Sequence, residues 1–366
     1  MNFSEGEALK LALSEETSRQ TLRLVDANLN RASEGLRVLE DIARLMLNEA
    51  ALTQQLKTMR HKLVRGDSDF QQQLLDSRDS VADVGRDTEA PGEEKGRDLS
   101  LVLVANSRRV QESLRVLEEL AKMPALADKL DSEKFKQARF NLYTLEQALM
   151  SKILRQEKTK RLSGLYVIID TPTLQGRRHV EVARQAIRGG AKIIQLRDKT
   201  LRKKELLPIA HELKNLCTEQ GVFFIMNDYL DLALETEADG LHLGQEDLPV
   251  SVARKLLPID RIVGCSTTTV EEARAAQAEG ADYIAVGSIF PTSSKETAEV
   301  VGLKRLHQVR TAVSVPLVAI GGITKDNVAE VIATGANAVA VISAVLAADS
   351  PEAAAREIVK RIEAQK

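Results

Sequence analysis

The chain has 366 residues, 43% of them apolar, and a formal net charge of −2. That length accommodates two globular domains, although a single α/β barrel takes about 250 residues. The near-neutral charge and an aromatic content of 3% exclude a basic nucleic-acid stripe, a base-stacking platform and an anionic-membrane surface, so no nucleic-acid or membrane partner is expected.

In chain order, Met1-Asn-Phe-Ser-Glu5 carries an early acid and no apolar core, unlike a secretory signal. The first 160 residues read as helical and contain a duplication. Ala27-Asn28-Leu-Asn-Arg31-Ala-Ser-Glu34-Gly-Leu-Arg37-Val-Leu-Glu40 recurs at an offset of 78 as Ala105-Asn106-Ser-Arg-Arg109-Val-Gln-Glu112-Ser-Leu-Arg115-Val-Leu-Glu118. Met59-Arg60-His61-Lys62-Leu63 and Ala138-Arg139-Phe140-Asn141-Leu142 correspond more loosely. Two copies predict a pseudo-symmetric helical bundle, since a solenoid needs at least three. Arg31, Glu34, Arg37 and Glu40 suit solvated ion pairs, but their retention in both copies points to a shared structural network or a paired site. Between the copies, Asp76 to Asp98 reads as a long polar loop. The basic run from Lys152 to Arg161 marks the predicted boundary between domains 1–160 and 161–366.

From Gly164 onward, eight short apolar runs rich in Val and Ile alternate with amphipathic stretches. The runs are 165–169, 193–196, 222–226, 240–243, 262–264, 283–286, 317–320 and 338–342, each too short for a helix and suited to a buried parallel strand. Val270 to Glu279 and Asp326 to Thr334 read as helices, each closed by Gly-Ala before the next strand. The pattern predicts a (β/α)8 TIM barrel preceded by an all-α N-terminal domain, with a doubly wound sheet as the alternative. The two cysteines, Cys217 and Cys265, form neither a metal pattern nor a disulfide framework, so a reducing, cytoplasmic setting is expected. No run reaches the roughly 20 apolar residues of a membrane helix.

Polar residues follow the predicted strands at the barrel's functional end. Strand two ends in Gln195-Leu196-Arg197-Asp198-Lys199, and alternation puts Gln195, Arg197 and Lys199 on one side and Leu196 on the other. A guanidinium and an ammonium at one mouth suit phosphate oxygens, though an ion-paired rim accounts for them equally. Asn227-Asp228 ends strand three and Gln245-Glu246-Asp247 follows strand four. Asp228 and Asp247 can share a Mg²⁺ ion with substrate phosphate, while Asp247 also suits an N-cap before Leu248-Pro249. Thr292-Ser293-Ser294-Lys295 offers hydroxyls and an ammonium. Gly321-Gly322 and Ile342-Ser343 lie where many barrels bind a phosphate through backbone N–H groups. His242, among apolar neighbours, reads as a packed histidine, and Cys265 gets no reactive role.

Residues 164 to 364 resemble thiamine-phosphate synthase. Gln195-Leu-Arg-Asp-Lys199, Asn227-Asp228, His242-Leu-Gly-Gln-Glu-Asp247, Gly264-Cys-Ser266, Pro291-Thr-Ser-Ser-Lys295 and Ala319-Ile-Gly-Gly-Ile323 match that family's motifs in order and spacing. The resemblance implies that Gln195, Leu196, Arg197, Asp198, Lys199, Asn227, Ser266 and Lys295 hold a pyrimidine diphosphate. It implies that Asp228 and Asp247 bind Mg²⁺, and that Thr292, Ser293, Ser294, Gly322, Ile342 and Ser343 hold a thiazole phosphate. Arg197, Lys199 and Lys295 would neutralise the departing diphosphate. Ser293 and Ser294 depart from the family's usual Pro-Thr-Pro-Thr-Lys, which implies altered loop stiffness. The rival reading is a thiazole tautomerase of the same superfamily.

The N-terminal half resembles the helical domain fused to some of these enzymes, which implies a hydroxymethylpyrimidine-phosphate kinase. No Gly-x-x-x-x-Gly-Lys-Ser/Thr loop occurs there. Arg78, Asp79, Asp83 and Gly85 are its candidate site, and a non-catalytic dimerisation or docking module is the competing class. Homo-oligomerisation is left open.

Overall fold

The structure, a computed structural model, describes residues 5–64, 67–78, 98–292 and 299–365. It divides into two compact units, Met1–Leu154 and Arg155–Lys366.

The first unit is helical, as predicted: α1 (Glu5–Asp41), α2 (Ala50–Val64), α3 (Ser68–Asp76), α4 (Leu99–Leu120) and α5 (Ser132–Lys160), the last running into the second unit. Its core gathers one face of each duplicated helix, with Ala32, Leu36 and Leu39 from α1 and Val110, Leu114 and Leu117 from α4. Those positions match at the 78-residue offset, so the duplication is a duplication of core.

Some of the duplicated charges, Arg37 and Glu40 in one copy and Arg115 and Glu118 in the other, form two ion clusters. Glu40 is buried and meets Arg60 Nη2 at 3.0 Å and Arg37 Nη1 at 3.7 Å. Glu118 is buried and meets Arg139 Nη2 at 2.9 Å and Arg115 Nη1 at 2.8 Å. Burial pushes the Glu118 carboxyl up, but the Arg139 hydrogen bond and the charges of Arg115, Arg139 and Lys122 outweigh it and hold it below the ordinary range. Of the two readings of the repeat, these residues realise the structural network. Arg78 is paired through two nitrogens with Asp26 at 2.7 and 2.9 Å. Asp79, Asp83 and Gly85 lie outside the described residues.

The second unit is a closed barrel of eight parallel strands in sequence order. They are β1 (Gly164–Asp170), β2 (Ile193–Arg197), β3 (Phe223–Asn227), β4 (Gly240–Leu243), β5 (Ile262–Thr267), β6 (Tyr283–Val286), β7 (Leu317–Ile320) and β8 (Ala338–Val341), and β8 pairs with β1. Period-two alternation sorts their side chains. Tyr166, Ile168, Ile193, Ile225, Tyr283 and Val318 fill the interior, while Leu165, Val167, Ile194, Leu196 and Phe224 pack outward against the helices. Helices Val270–Ala278 and Val328–Ala333 end close to Gly280 (φ 101°) and Gly335 (φ 106°). The second begins two residues later than expected, because Asn327 is drawn into a turn by accepting from Thr324 N and donating to the Gly322 carbonyl. Among the described residues, no helix is long and apolar enough to cross a membrane.

Candidate active site

Because the strands run parallel, their C-terminal ends open on one mouth, where a cavity of about 620 Å³ lies. Gln195, Arg197, Lys199, Asn227, Asp228, Asp247, Ser266, Thr292, Gly322, Ile342 and Ser343 all line it. The side chains of Leu196 and Asp198 do not. Alternation turns Leu196 into the outer core, where it is fully buried. Asp198 Oδ1 accepts from Thr200 N and Leu201 N at 2.6 Å each, shaping the loop after β2. Burial opposes its charged form, yet the donors around it hold the carboxyl below the ordinary range. Ser293, Ser294 and Lys295 lie outside the described residues.

The cations at the rim are held by carboxylates. Arg197 Nη1 lies 2.5 Å from Asp170 Oδ1, and Lys199 Nζ lies 2.5 Å from Asp228 Oδ2. Asp170, the last residue of β1, is a positioning residue the sequence reading missed; an acid at that strand end was its only signal. Asp228 sits just past β3 with φ 60°, a left-handed conformation that a non-glycine residue adopts at a cost. Its N–H donates to the His242 carbonyl at 2.9 Å, so the strained turn is tied to the neighbouring strand. Burial pushes the Asp228 carboxyl up, the adjacent Asp247 carboxyl pushes the same way, and Lys199 opposes both. Asp247 is no N-cap: helix Val250–Leu256 is preceded by Pro249, and Asp247 Oδ2 accepts instead from Gly244 N at 2.7 Å. Two crowded carboxylates in a half-buried mouth are an oxygen donor set that suits a hard divalent cation. Their chemistry fits Mg²⁺.

Below the rim runs a buried hydrogen-bonded chain. Gln195 Nε2 donates to Tyr166 Oη at 2.7 Å, which lies 3.1 Å from Tyr283 Oη. Tyr283 Oη lies 3.0 Å from His242 Nδ1, and His242 Nε2 lies 2.8 Å from Ser266 Oγ. Burial pushes His242 down to about 4, so its ring is neutral at physiological pH. The packed-histidine reading was right about burial, but the side chain also lines the cavity. Gly264 makes room for this chain, since a Cβ there would stand 1.9 Å from Tyr283 Cζ. Cys265 alternates outward from the mouth, and burial pushes its thiol up to about 11.

Opposite the acids, Gly321 (φ 98°) and Gly322 (φ 64°) turn the backbone into the cavity. Only glycine fits: a Cβ on Gly321 would meet Ser288 Oγ at 2.0 Å, and one on Gly322 the Pro291 carbonyl at 2.5 Å. The mouth therefore has a cationic and acidic side under β2–β4 and a glycine-rich side under β7–β8.

Comparison with known proteins identifies relatives of both units. Residues 165–345 match the family model described as thiamine monophosphate synthase, and residues 23–148 match the ThiD2 family. A thiamine-phosphate synthase of Thermosynechococcus vestitus is 42% identical over 93% of this chain and 94% of its own. One of Nostoc punctiforme is 39% identical over 92% and 93%. Among solved structures, thiamine phosphate pyrophosphorylase from Pyrococcus furiosus superposes with a TM-score of 0.53 at 41% identity, covering 57% of this chain and 98% of its own. The chain belongs to the thiamine-phosphate synthase family, transferases of thiamine biosynthesis.

Proposed function

We propose that the barrel joins a pyrimidine methyl diphosphate to a thiazole phosphate, giving thiamine phosphate and pyrophosphate. The observation that carries this reading is one cavity lined by Arg197, Lys199, Asp228 and Asp247 on one side and by Gly322 and Ser343 on the other. The methylene C–O bond breaks, and its electron pair leaves with the diphosphate. The thiazole nitrogen lone pair then forms the new C–N bond to the methylene carbon. No proton need move in either step, which suits a site whose one lining histidine is neutral.

Arg197 and Lys199 neutralise the charge developing on the leaving group, joined by Lys295. Asp228 and Asp247 would hold Mg²⁺, which supplies Lewis-acid stabilisation of the same charge. Gln195, Asn227 and Ser266 orient the aminopyrimidine, and the Tyr166–Tyr283–His242 chain fixes the hydrogen-bonding sense of Gln195 and Ser266. Thr292, Ser293, Ser294, Gly322, Ile342 and Ser343 take the thiazole phosphate. A tautomerase needs no diphosphate site, so the acidic and cationic side favours the synthase. The test is pyrophosphate release with both substrates and with each omitted. Release that requires both and stops with EDTA supports the reading, and thiazole isomerisation without pyrophosphate overturns it.

For the helical half we propose the kinase activity that its resemblance implies, making the diphosphate that the barrel consumes. The match to the ThiD2 family over residues 23–148 gives the domain's family, and the kinase activity is the proposal. Full-length chain given ATP and the pyrimidine monophosphate should form the diphosphate. No product from folded chain would leave the half a docking module.

A further inference from the structure

The duplicated helices carry a second stripe, of which Val38 and Val102 pack in part against the core. On α1 it is Leu24, Ala27, Arg31, Glu34 and Val38, and on α4 it is Val102, Ala105, Arg109, Glu112 and Val116. The two sets correspond residue by residue at the 78-residue offset. Their spacing, three then four residues repeatedly, is that of the seam by which one helix packs along another in a coiled coil. Leu24 is 53% exposed and Val116 40% exposed, and Ala27, Val38, Val102 and Ala105 are half-buried.

Several other charges that the repeat preserves are spent on internal partners. Arg37 and Arg115 serve the buried glutamates, and Asp41 and Glu119, also matched at the offset, pair with those same arginines. The stripe's own charges differ. Arg31, Glu34, Arg109 and Glu112 are exposed and make no ion pair or hydrogen bond among the described residues. Internal packing therefore does not explain why both copies keep them. The stripe also runs beside the tight α1–α4 crossing, where a Cβ on Gly35 would meet Val110 Cγ2 at 2.5 Å. Glu34 and Arg109 directly adjoin those two residues in sequence.

We propose that this α1–α4 face docks on the same face of a second copy of the chain. Charge complementarity selects that occupant. Each seam is neutral, with its Arg and Glu one turn apart, so antiparallel pairing centred on Arg31 and Glu34 sets each Arg opposite the Glu of the second copy. Arg109 and Glu112 repeat the arrangement. The flanking apolar residues, Leu24 and Val38 on one helix and Val102 and Val116 on the other, close over both ends. An isologous dimer uses one self-complementary patch in this way. A partner of uniform charge would leave half of these groups facing like charge.

The test is sedimentation of the full-length chain over a range of concentrations at low and moderate salt. The wild type should be dimeric. Arg31→Glu with Arg109→Glu sets acid against acid and should weaken dimerisation by roughly tenfold or more. Adding Glu34→Arg and Glu112→Arg restores complementarity in reversed order and should restore the dimer. All four positions are exposed, and unchanged helical circular dichroism checks that each variant folds. A monomeric wild type, or a dimer indifferent to the double charge reversal, would overturn the proposal. So would failure of the fourfold swap to rescue, because loss without rescue would mark a structural defect rather than a broken interface.

Discussion

Gly264→Ala puts one methyl group where the structure has no room for it. The new Cβ would stand 1.9 Å from Tyr283 Cζ and 2.4 Å from Cε1 and Cε2. Tyr283 is fully buried, so its ring must move within a closed barrel. Overpacking of this kind costs ~1–3 kcal/mol. Moving the ring also strands the Tyr166 hydroxyl and His242 Nδ1, at ~1–3 kcal/mol for each buried group left unpaired. The sum, ~3–9 kcal/mol if both contacts are lost, is a large share of a typical ~5–15 kcal/mol of stability. Urea unfolding followed by circular dichroism should show the loss, with KM for the pyrimidine substrate raised more than that for the thiazole phosphate. Tyr283→Leu removes the ring, so the two substitutions together should cost less than the sum of their separate effects. Strict additivity, or a Gly264→Ala loss below about 0.5 kcal/mol, would refute the reasoning.

Other outcomes follow from the same contacts. Asp228→Ala should lower kcat by about a hundredfold or more, equivalent to ~2.7–4 kcal/mol, measured as pyrophosphate release at limiting Mg²⁺; near-wild-type turnover would remove Asp228 from the metal site. Arg139→Met should destabilise the helical unit by ~3 kcal/mol, because Glu118 is left buried with a weaker set of partners. A loss near the ~0.2–0.5 kcal/mol of a solvated helix pair would instead mark the cluster as surface chemistry. His242 lies at about 4 when folded against an ordinary 6.5, so protons bind the unfolded chain first. Its contribution is therefore fully present above about pH 6.5 and shrinks as pH falls toward 4, by on the order of 3 kcal/mol. His242→Asn should flatten that part of the stability–pH curve, and an unchanged slope would assign the acid sensitivity to other groups.

The barrel was legible because parallel strands buried on both sides write themselves as short Val- and Ile-rich runs. Most of the lining was legible for a related reason: polar residues directly after such runs fall at the mouth. What pattern alone could not resolve was the use of single side chains. Asp198 lies between two cations in sequence, yet its carboxylate goes to the backbone of Thr200 and Leu201. Asp170 and the Tyr166–Tyr283 pair were missed because each reads as ordinary strand sequence until the barrel closes and brings β1 beside β2 and β6 opposite. In the helical half, Glu40 and Glu118 looked exposed on a helical wheel. They are buried because Arg60 and Arg139, 20 and 21 residues away, reach across from the next helix of each copy.

The central claim is that one mouth binds both phosphorylated rings and joins them. Chromatographic quantification of products from the full-length chain, supplied with the pyrimidine diphosphate, the thiazole phosphate and Mg²⁺, tests it most directly. The account predicts one pyrophosphate for each thiamine phosphate formed, with both lost on chelation. Turnover of either substrate alone, or thiamine phosphate formed without matching pyrophosphate, would contradict it.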